Sequence, residues 1–137
     1  MTESASTRLL ADSRDPLLRM RVYRLACDLV EEAWPDIEKL KLDAGTEKIA
    51  GQLYASIGSI ASNLGEGYGH SSGRDRARIF EYALGSARES MVWYRTAFPV
   101  LGKAVAQERL EKLEEIRRML IAIIPRERGR LIRPSKK

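Results

Sequence analysis

Apolar residues recur every three or four positions in four successive stretches of this chain, and turn signals separate the stretches. The first stretch follows Asp15-Pro16, the second follows residues 43–45, the third follows the glycine-rich segment 67–73, and the fourth follows Gly102. This spacing places the apolar side chains on one face of an α-helix. No segment shows the alternation of apolar and polar residues that is typical of a half-buried strand. The pattern therefore predicts an all-α protein.

The connections between the four predicted helices are short, so neighbouring helices must run antiparallel. We expect an up-down-up-down four-helix bundle over residues 15–125, with a flexible arm at 1–14 and a basic tail at 126–137. Prolines suggest where helices are interrupted: Pro35 should kink or end the first helix, and Pro125 should stop the fourth. Pro99 should end the regular part of the third helix.

Local signals also mark helix ends and a row of glycines along one face of the second helix. Thr46 and Ser72 are candidate N-caps for the second and third helices. Gly51, Gly58 and Gly65 recur every seven residues in the second helix, and each costs about 1 kcal/mol relative to alanine. Either another backbone approaches this row closely, or the helix is intrinsically weak and is held by packing.

Positive charge is concentrated at the C-terminus. The chain carries 24 basic and 19 acidic residues, for a net charge of +5. Residues 126–137 alone hold six basic residues and one acid, so the remainder is formally neutral. Such a segment can bind nucleic acid by displacing counterions from phosphates, or it can be a solvated end that promotes solubility.

Catalytic and metal chemistry has little support. A single cysteine, Cys27, and a single histidine, His70, exclude an internal disulfide and most metal sites built from these residues. We expect no cofactor and no enzymatic activity. No segment approaches the roughly 20 apolar residues of a membrane span, and the expected location is the cytoplasm. Asn63, Glu66 and Glu89 could form either a hydrogen-bonded network that fixes helix register or a ligand site.

Two linked segments carry a family resemblance. Residues 59–69 read SIASNLGEGYG, and residues 83–89 read ALGSARE. With Gln52-Leu53 and Phe80, they resemble the four-helix-bundle proteins encoded within intervening sequences of bacterial 23S rRNA genes. The shared positions with structural roles are Gln52, Ser59, Asn63, Glu66, Gly67, Gly85, Ser86 and Glu89.

The resemblance implies a bundle that assembles into a homo-oligomeric ring, expected to be a pentamer. In it, Gly85 and Ser86 would let the second and third helices approach, while Asn63 and Glu66 would satisfy backbone groups where the second helix ends. Related proteins include the accessory variability determinants of diversity-generating retroelements, which bind nucleic acid and a reverse transcriptase. This chain has Ala55 and His70 where the family pattern usually has arginine, which removes positive charge near the motif.

The basic tail and the family resemblance together predict a non-enzymatic protein that binds nucleic acid, RNA in the first place, or that is an accessory to a reverse transcriptase. The predicted nucleic-acid-binding residues are Arg74, Arg76, Arg78, Arg126, Arg128, Arg130, Arg133, Lys136 and Lys137. The helix 1 cluster of Arg19, Arg21 and Arg24 is a further basic group. The alternative is an oligomeric protein-interaction scaffold without a nucleic-acid role, which exposed aromatic side chains at Tyr54, Trp93 and Tyr94 would favour.

Overall fold

A computed structural model describes residues 14–130 of the chain. A short 3-10 turn, Pro16–Arg19, precedes five α-helices. The bounds of the helices are α1 Arg21–Lys41, α2 Glu47–Tyr68, α3 Gly73–Thr96, α4 Phe98–Leu101 and α5 Lys103–Arg128. No strand occurs within the described residues. The predicted all-α fold with four long helices is confirmed.

The four long helices pack as antiparallel neighbours around one apolar core. Cross-helix contacts give the direction of the α2–α3 pair, because Ser56 meets Ser90 while Gly67, later in α2, meets Phe80, earlier in α3. Side chains at the predicted three- and four-residue spacing fill the interior. The largest of those fully buried are Leu29, Ile37, Leu40, Leu53, Ile57, Ile60, Leu64, Phe80, Tyr94, Leu113, Ile116 and Leu120.

A seam of small polar side chains fixes the register of α2 against α3. The hydroxyls of Ser56 and Ser90 lie 2.8 Å apart in the buried part of this interface. One turn further along, Ser86 donates to Ser59 Oγ at 2.9 Å, and Asn63 Nδ2 donates to both Ser59 Oγ and the Ser59 carbonyl at 2.9 Å. Buried hydroxyls need partners, so shifting either helix by a turn would leave several unsatisfied.

Two prolines lie inside helices that continue past them. Pro35 was predicted to kink or end the first helix; α1 does not end there and continues to Lys41. Pro125 was predicted to stop the fourth helix, but α5 continues to Arg128. Both rings are exposed, so water can solvate the carbonyl that each proline leaves without a partner. Arg126 and Arg128 therefore belong to the last turn of α5, where positive charge favours the helix dipole.

The predicted helix caps were correct at one position and wrong at another. Ser72 Oγ accepts a hydrogen bond from Asp75 N at 3.1 Å, so this N-cap is confirmed. Thr46 does not cap α2 with its side chain. Its hydroxyl instead donates to the Leu40 carbonyl at 2.8 Å, which ties the end of α1 to the start of α2. Asp15 caps the 3-10 turn by accepting from Leu17 N at 3.0 Å.

The close backbone approaches occur at glycines other than those of the seven-residue repeat. A Cβ atom added at Gly51, Gly58 or Gly85 would meet nothing within 4 Å, so the predicted close approaches at these positions are wrong within one chain. A Cβ at Gly67 would lie 2.7 Å from the Phe80 ring. A Cβ at Gly73 would overlap the carbonyl oxygen of Glu127, so glycine is what lets α3 start against the end of α5.

Candidate nucleic-acid interface

The bundle brings three arginine clusters, far apart in the sequence, to one end of the molecule. The start of α1 lies there because Leu17 reaches Gly65 near the end of α2. The start of α3 lies there because Gly73 contacts Glu127 near the end of α5. We call this region the arginine-rich end and define it as residues 14–24, 66–81 and 126–130.

The arginine-rich end differs sharply in charge from the rest of the bundle. It holds ten arginines, no lysine and five acidic residues, for a net charge of +5. The other described residues hold ten basic and twelve acidic side chains. Nine of the ten arginines are exposed. Positive charge is thus concentrated at one end of the described bundle, the end that contains residues 14 and 130.

Arg76 is the exception among these arginines. It was predicted to contact nucleic acid, but it is only 4% exposed. Its Nε lies 3.0 Å from Glu127 Oε2, and its Nη2 donates to Glu127 Oε1 at 3.3 Å. Its guanidinium also lies over the Tyr68 ring, 5.6 Å from the centroid. Arg76 therefore joins α3 to α5 and supports the surface from below, since its side chain cannot reach a ligand in solvent.

Arg74, Arg78 and Arg128 converge around one cleft of about 400 Å³. The cleft lies between the first turns of α3 and the last turn of α5, and Asp75 and Glu81 complete its lining. Arg128 forms an ion pair with Glu81. Arg74 is exposed. These three arginines were all predicted from the sequence, and the fold places them side by side.

Tyr82 stands next to this cleft and was missed by the sequence reasoning. Its ring is 52% exposed. Arg78 Nη1 donates to the Tyr82 hydroxyl at 3.3 Å, and the Arg78 guanidinium lies 5.9 Å from the ring centroid. The four-residue separation of Arg78 and Tyr82 on one helix was the available signal.

The remaining predicted binding residues divide between the surface and the undescribed tail. Arg126 and Arg130 are exposed, and Arg130 Nη1 lies 3.3 Å from Glu127 Oε1. Arg133, Lys136 and Lys137 lie outside the described residues.

The family-motif positions fall into two groups. Ser59, Asn63, Ser86 and Gly67 have the structural roles described above, in the α2–α3 seam and against Phe80. The other four positions are exposed: Gln52, Glu66, Gly85 and Glu89. Among these, Glu89 accepts a hydrogen bond from Trp93 Nε1 at 3.2 Å.

A second polar network, also missed from the sequence, lies inside the bundle. Asp36 is buried in α1 and accepts from the Tyr94 hydroxyl at 2.7 Å and from Arg109 Nε at 2.9 Å. Burial and then the hydrogen bond to Asp36 raise the pKa of Tyr94 far above its ordinary value of 10.0. Tyr94 was predicted to be an exposed contact aromatic, which is wrong, because it faces Asp36 in the core.

Residues 14–130 contain no group of three or more side chains able to hold a metal ion. None of their helices is both long enough and apolar enough to cross a membrane. Burial raises the pKa of the Cys27 thiol, whose side chain bonds to Tyr23. The same burial raises the pKa of Tyr23 to about 12.

Comparison with known proteins identifies the family. No curated protein sequence matches the chain. A crystal structure of a protein of unknown function from the S23 ribosomal protein family of Bacteroides thetaiotaomicron has the same fold, with a TM-score of 0.70 at 20% identity. The match covers 75% of this chain and 97% of that one. The model of the 23S rRNA-intervening sequence protein family matches residues 19–122, and the chain belongs to that family.

Proposed function

We propose that this protein is a non-enzymatic RNA-binding protein and that its arginine-rich end is the binding surface. The observation that carries the proposal is the convergence of three separate arginine clusters at one end of the bundle, with the excess of acids elsewhere. A neutral body with one concentrated cationic region orients the protein toward a polyanion. The description of the family, which refers to an intervening sequence of 23S rRNA, makes RNA the first polyanion to test.

The choice of arginine supports a phosphate ligand. Guanidinium groups bind phosphate oxygens with two parallel hydrogen bonds and remain charged at all physiological pH values. Contacts of this kind position a protein on nucleic acid without reading its sequence. Five of the nine exposed arginines use their guanidinium groups in ion pairs or hydrogen bonds: Arg21, Arg24, Arg78, Arg128 and Arg130. We assign the role first to the other four, Arg14, Arg19, Arg74 and Arg126.

Removing one arginine from each cluster should weaken RNA binding. We expect Arg19→Gln/Arg74→Gln/Arg126→Gln to lower the affinity for a labelled RNA hairpin with a single-stranded extension by about tenfold or more. The slope of log affinity against log salt concentration should become shallower by about 2, since each lost phosphate contact removes about 0.7 to 0.9. Fluorescence anisotropy at several salt concentrations measures both quantities.

A charge-matched control separates a local site from general electrostatics. Lys39→Gln/Lys48→Gln/Lys103→Gln removes the same charge from exposed positions away from the arginine-rich end. It should change the affinity less than threefold. Equal losses in the two variants, or wild-type protein that does not bind the RNA at low salt, would contradict the proposal. A partner reverse transcriptase is suggested by the family resemblance alone. A reverse-transcriptase gene next to the gene for this protein would support that partner.

We also propose that the protein assembles with copies of itself. No charged residue occurs from position 49 to position 65, so the outward face of α2 is uncharged. Gly51 and Gly58 leave open space on it, beside the exposed rings of Trp34 (45%) and Tyr54 (39%), whose centroids lie 5.3 Å apart.

Exposed apolar side chains also lie on the opposite side of the bundle. There Phe98 and Ile121 each lie beside a separate open groove between α3 and α5. An uncharged face on one side and exposed apolar side chains on the other are suited to head-to-tail packing. Repeated contacts of that type close into a ring when the rotation allows it, and the family resemblance suggests five copies.

Placing a long charged side chain on the uncharged α2 face should disrupt this assembly. The wild-type protein should have a mass about five times that of the 15.5-kDa chain by light scattering. Gly58→Arg should shift it to the monomer and keep its helical circular dichroism, because the side chain would project into open space. Ala44→Arg, in the exposed loop after α1, is the control and should leave the oligomer intact. A monomeric wild-type protein, or an unchanged oligomer in Gly58→Arg, would contradict this proposal.

A further inference from the structure

The cleft at the arginine-rich end has a composition that suits a whole nucleotide better than a bare phosphate. Three guanidinium groups line it together with two carboxylates, Asp75 and Glu81. Glu81 already pairs with Arg128, whereas a site for phosphate alone gains nothing from the second carboxylate, Asp75, which repels it. A nucleotide carries a phosphate for the arginines, and its base edge carries N–H donors that a carboxylate can accept, as with the amino group of cytosine.

The size and shape of the cleft point in the same direction. Its volume of about 400 Å³ falls in the range of pockets that hold small organic ligands. It lies between α3 and α5, and all five residues that line it are exposed, so a nucleotide can reach it from solvent. An unpaired nucleotide can leave the backbone path and enter.

Tyr82 supplies a surface on which a base can stack. It lies one helical turn beyond Arg78, half of its ring is exposed, and the Arg78 guanidinium holds it through the hydroxyl. Aromatic rings and arginine planes are the usual stacking partners of bases in single-stranded RNA, whereas bases inside a duplex already stack on each other. Tyr82 and the arginines of the adjacent cleft thus offer partners to the base and to the phosphate of one nucleotide.

We propose that this cleft binds one unpaired nucleotide of RNA, with the base against Tyr82 and the adjacent phosphate among Arg74, Arg78 and Arg128. This inference rests on the proposed RNA-binding function and specifies it: the protein prefers single-stranded segments and loops to continuous duplex. The buried Arg76–Glu127 pair holds the two walls of the cleft together.

The test compares an unstructured 12-nucleotide RNA with a blunt duplex that contains the same strand. The wild-type protein should bind the single strand more tightly. Tyr82→Ala should weaken binding of the single strand by about 5-fold to 150-fold, the effect of losing one base–aromatic stack, and should leave duplex binding within about twofold. Tyr82→Phe should restore the single-strand affinity, because stacking needs the ring and not the hydroxyl.

Val92→Ala, which removes another apolar side chain of the same helix at the same 52% exposure, is the matched control and should leave both affinities unchanged. Equal binding of the two RNAs, or the same loss for both in Tyr82→Ala, would overturn the nucleotide site while leaving the electrostatic proposal intact. Absence of RNA binding by the wild-type protein would overturn the proposed function itself. Unchanged circular dichroism in Tyr82→Ala verifies that the exposed substitution has not altered the bundle.

Discussion

Replacing Asp36 with alanine should lower the free energy of unfolding by about 3–5 kcal/mol, the usual cost of removing one partner from a buried ion pair. Asp36 is 5% exposed, and its carboxylate accepts from both Tyr94 and Arg109. Without it, the Arg109 guanidinium and the Tyr94 hydroxyl would each lose a charge-assisted hydrogen bond in a region with little access to water.

The expected loss is large because the network spans three helices. Asp36 lies in α1, Tyr94 in α3 and Arg109 in α5, so one carboxylate links the three. Arg109 Nη2 also donates to the Glu32 carbonyl at 3.3 Å, and Lys112 Nζ lies 2.7 Å from Glu32 Oε2. These outer contacts would hold Arg109 near its present position in the variant rather than let it turn to solvent.

Chemical denaturation followed by circular dichroism measures this prediction. Glu38→Ala is the control, since Glu38 is an exposed acid two residues further along the same helix. It should change the stability by no more than about 0.5 kcal/mol. A loss in Asp36→Ala that matches the control would show that the network contributes nothing to stability.

Gly73→Ala should destabilise the protein by about 3 kcal/mol, the upper end of the range for overpacking. The added methyl group would overlap the carbonyl oxygen of Glu127, and a helical backbone cannot yield as a flexible side chain does. The end of α5 would have to move away from α3, which would strain the Arg76–Glu127 pair and widen the cleft between Arg74, Arg78 and Arg128.

Gly85→Ala is the matched control, because this glycine also lies in α3 but its added methyl group would meet nothing within 4 Å. It should raise the stability by about 0.5–1 kcal/mol through the better helix propensity of alanine. Thermal or urea unfolding of the two variants at a single protein concentration gives the comparison. Equal effects of the same sign would contradict the assignment of Gly73 to the contact.

The periodicity of apolar residues predicts the helices well, but it predicts only some of the contacts between them. The apolar stripes determined four helices and the antiparallel packing, because burying a stripe leaves few alternatives. A repeat of glycines every seven residues shows that they share a face, but it does not show whether that face points inward. Gly51 and Gly58 face outward, and the glycines in close contact, Gly67 and Gly73, lie at helix ends where no repeat marks them.

The predictions that Pro125 ends the helix and that Arg76 binds nucleic acid were wrong for a similar reason, because local sequence does not show contacts between distant segments. A proline is a local signal for the end of a helix, whereas α5 continues to Arg128 with Glu127 buried against Arg76 in a contact 51 residues apart. A signal for the burial of Arg76 was present, since it precedes the core residue Phe80 by one helical turn. Asp36 likewise follows Ala33 by three positions on the apolar stripe of α1. Polar residues on an apolar stripe were the available sign of buried networks.

Hydrogen–deuterium exchange of the protein with and without single-stranded RNA tests most directly where the ligand binds. If the arginine-rich end is the interface, RNA should slow exchange in peptides that cover residues 66–82 and 120–130. Exchange should stay unchanged in peptides that cover residues 38–50 and 96–108 at the other end of the bundle. Protection confined to that other end, or spread evenly over all four helices, would contradict the proposal that converging arginines form the binding surface.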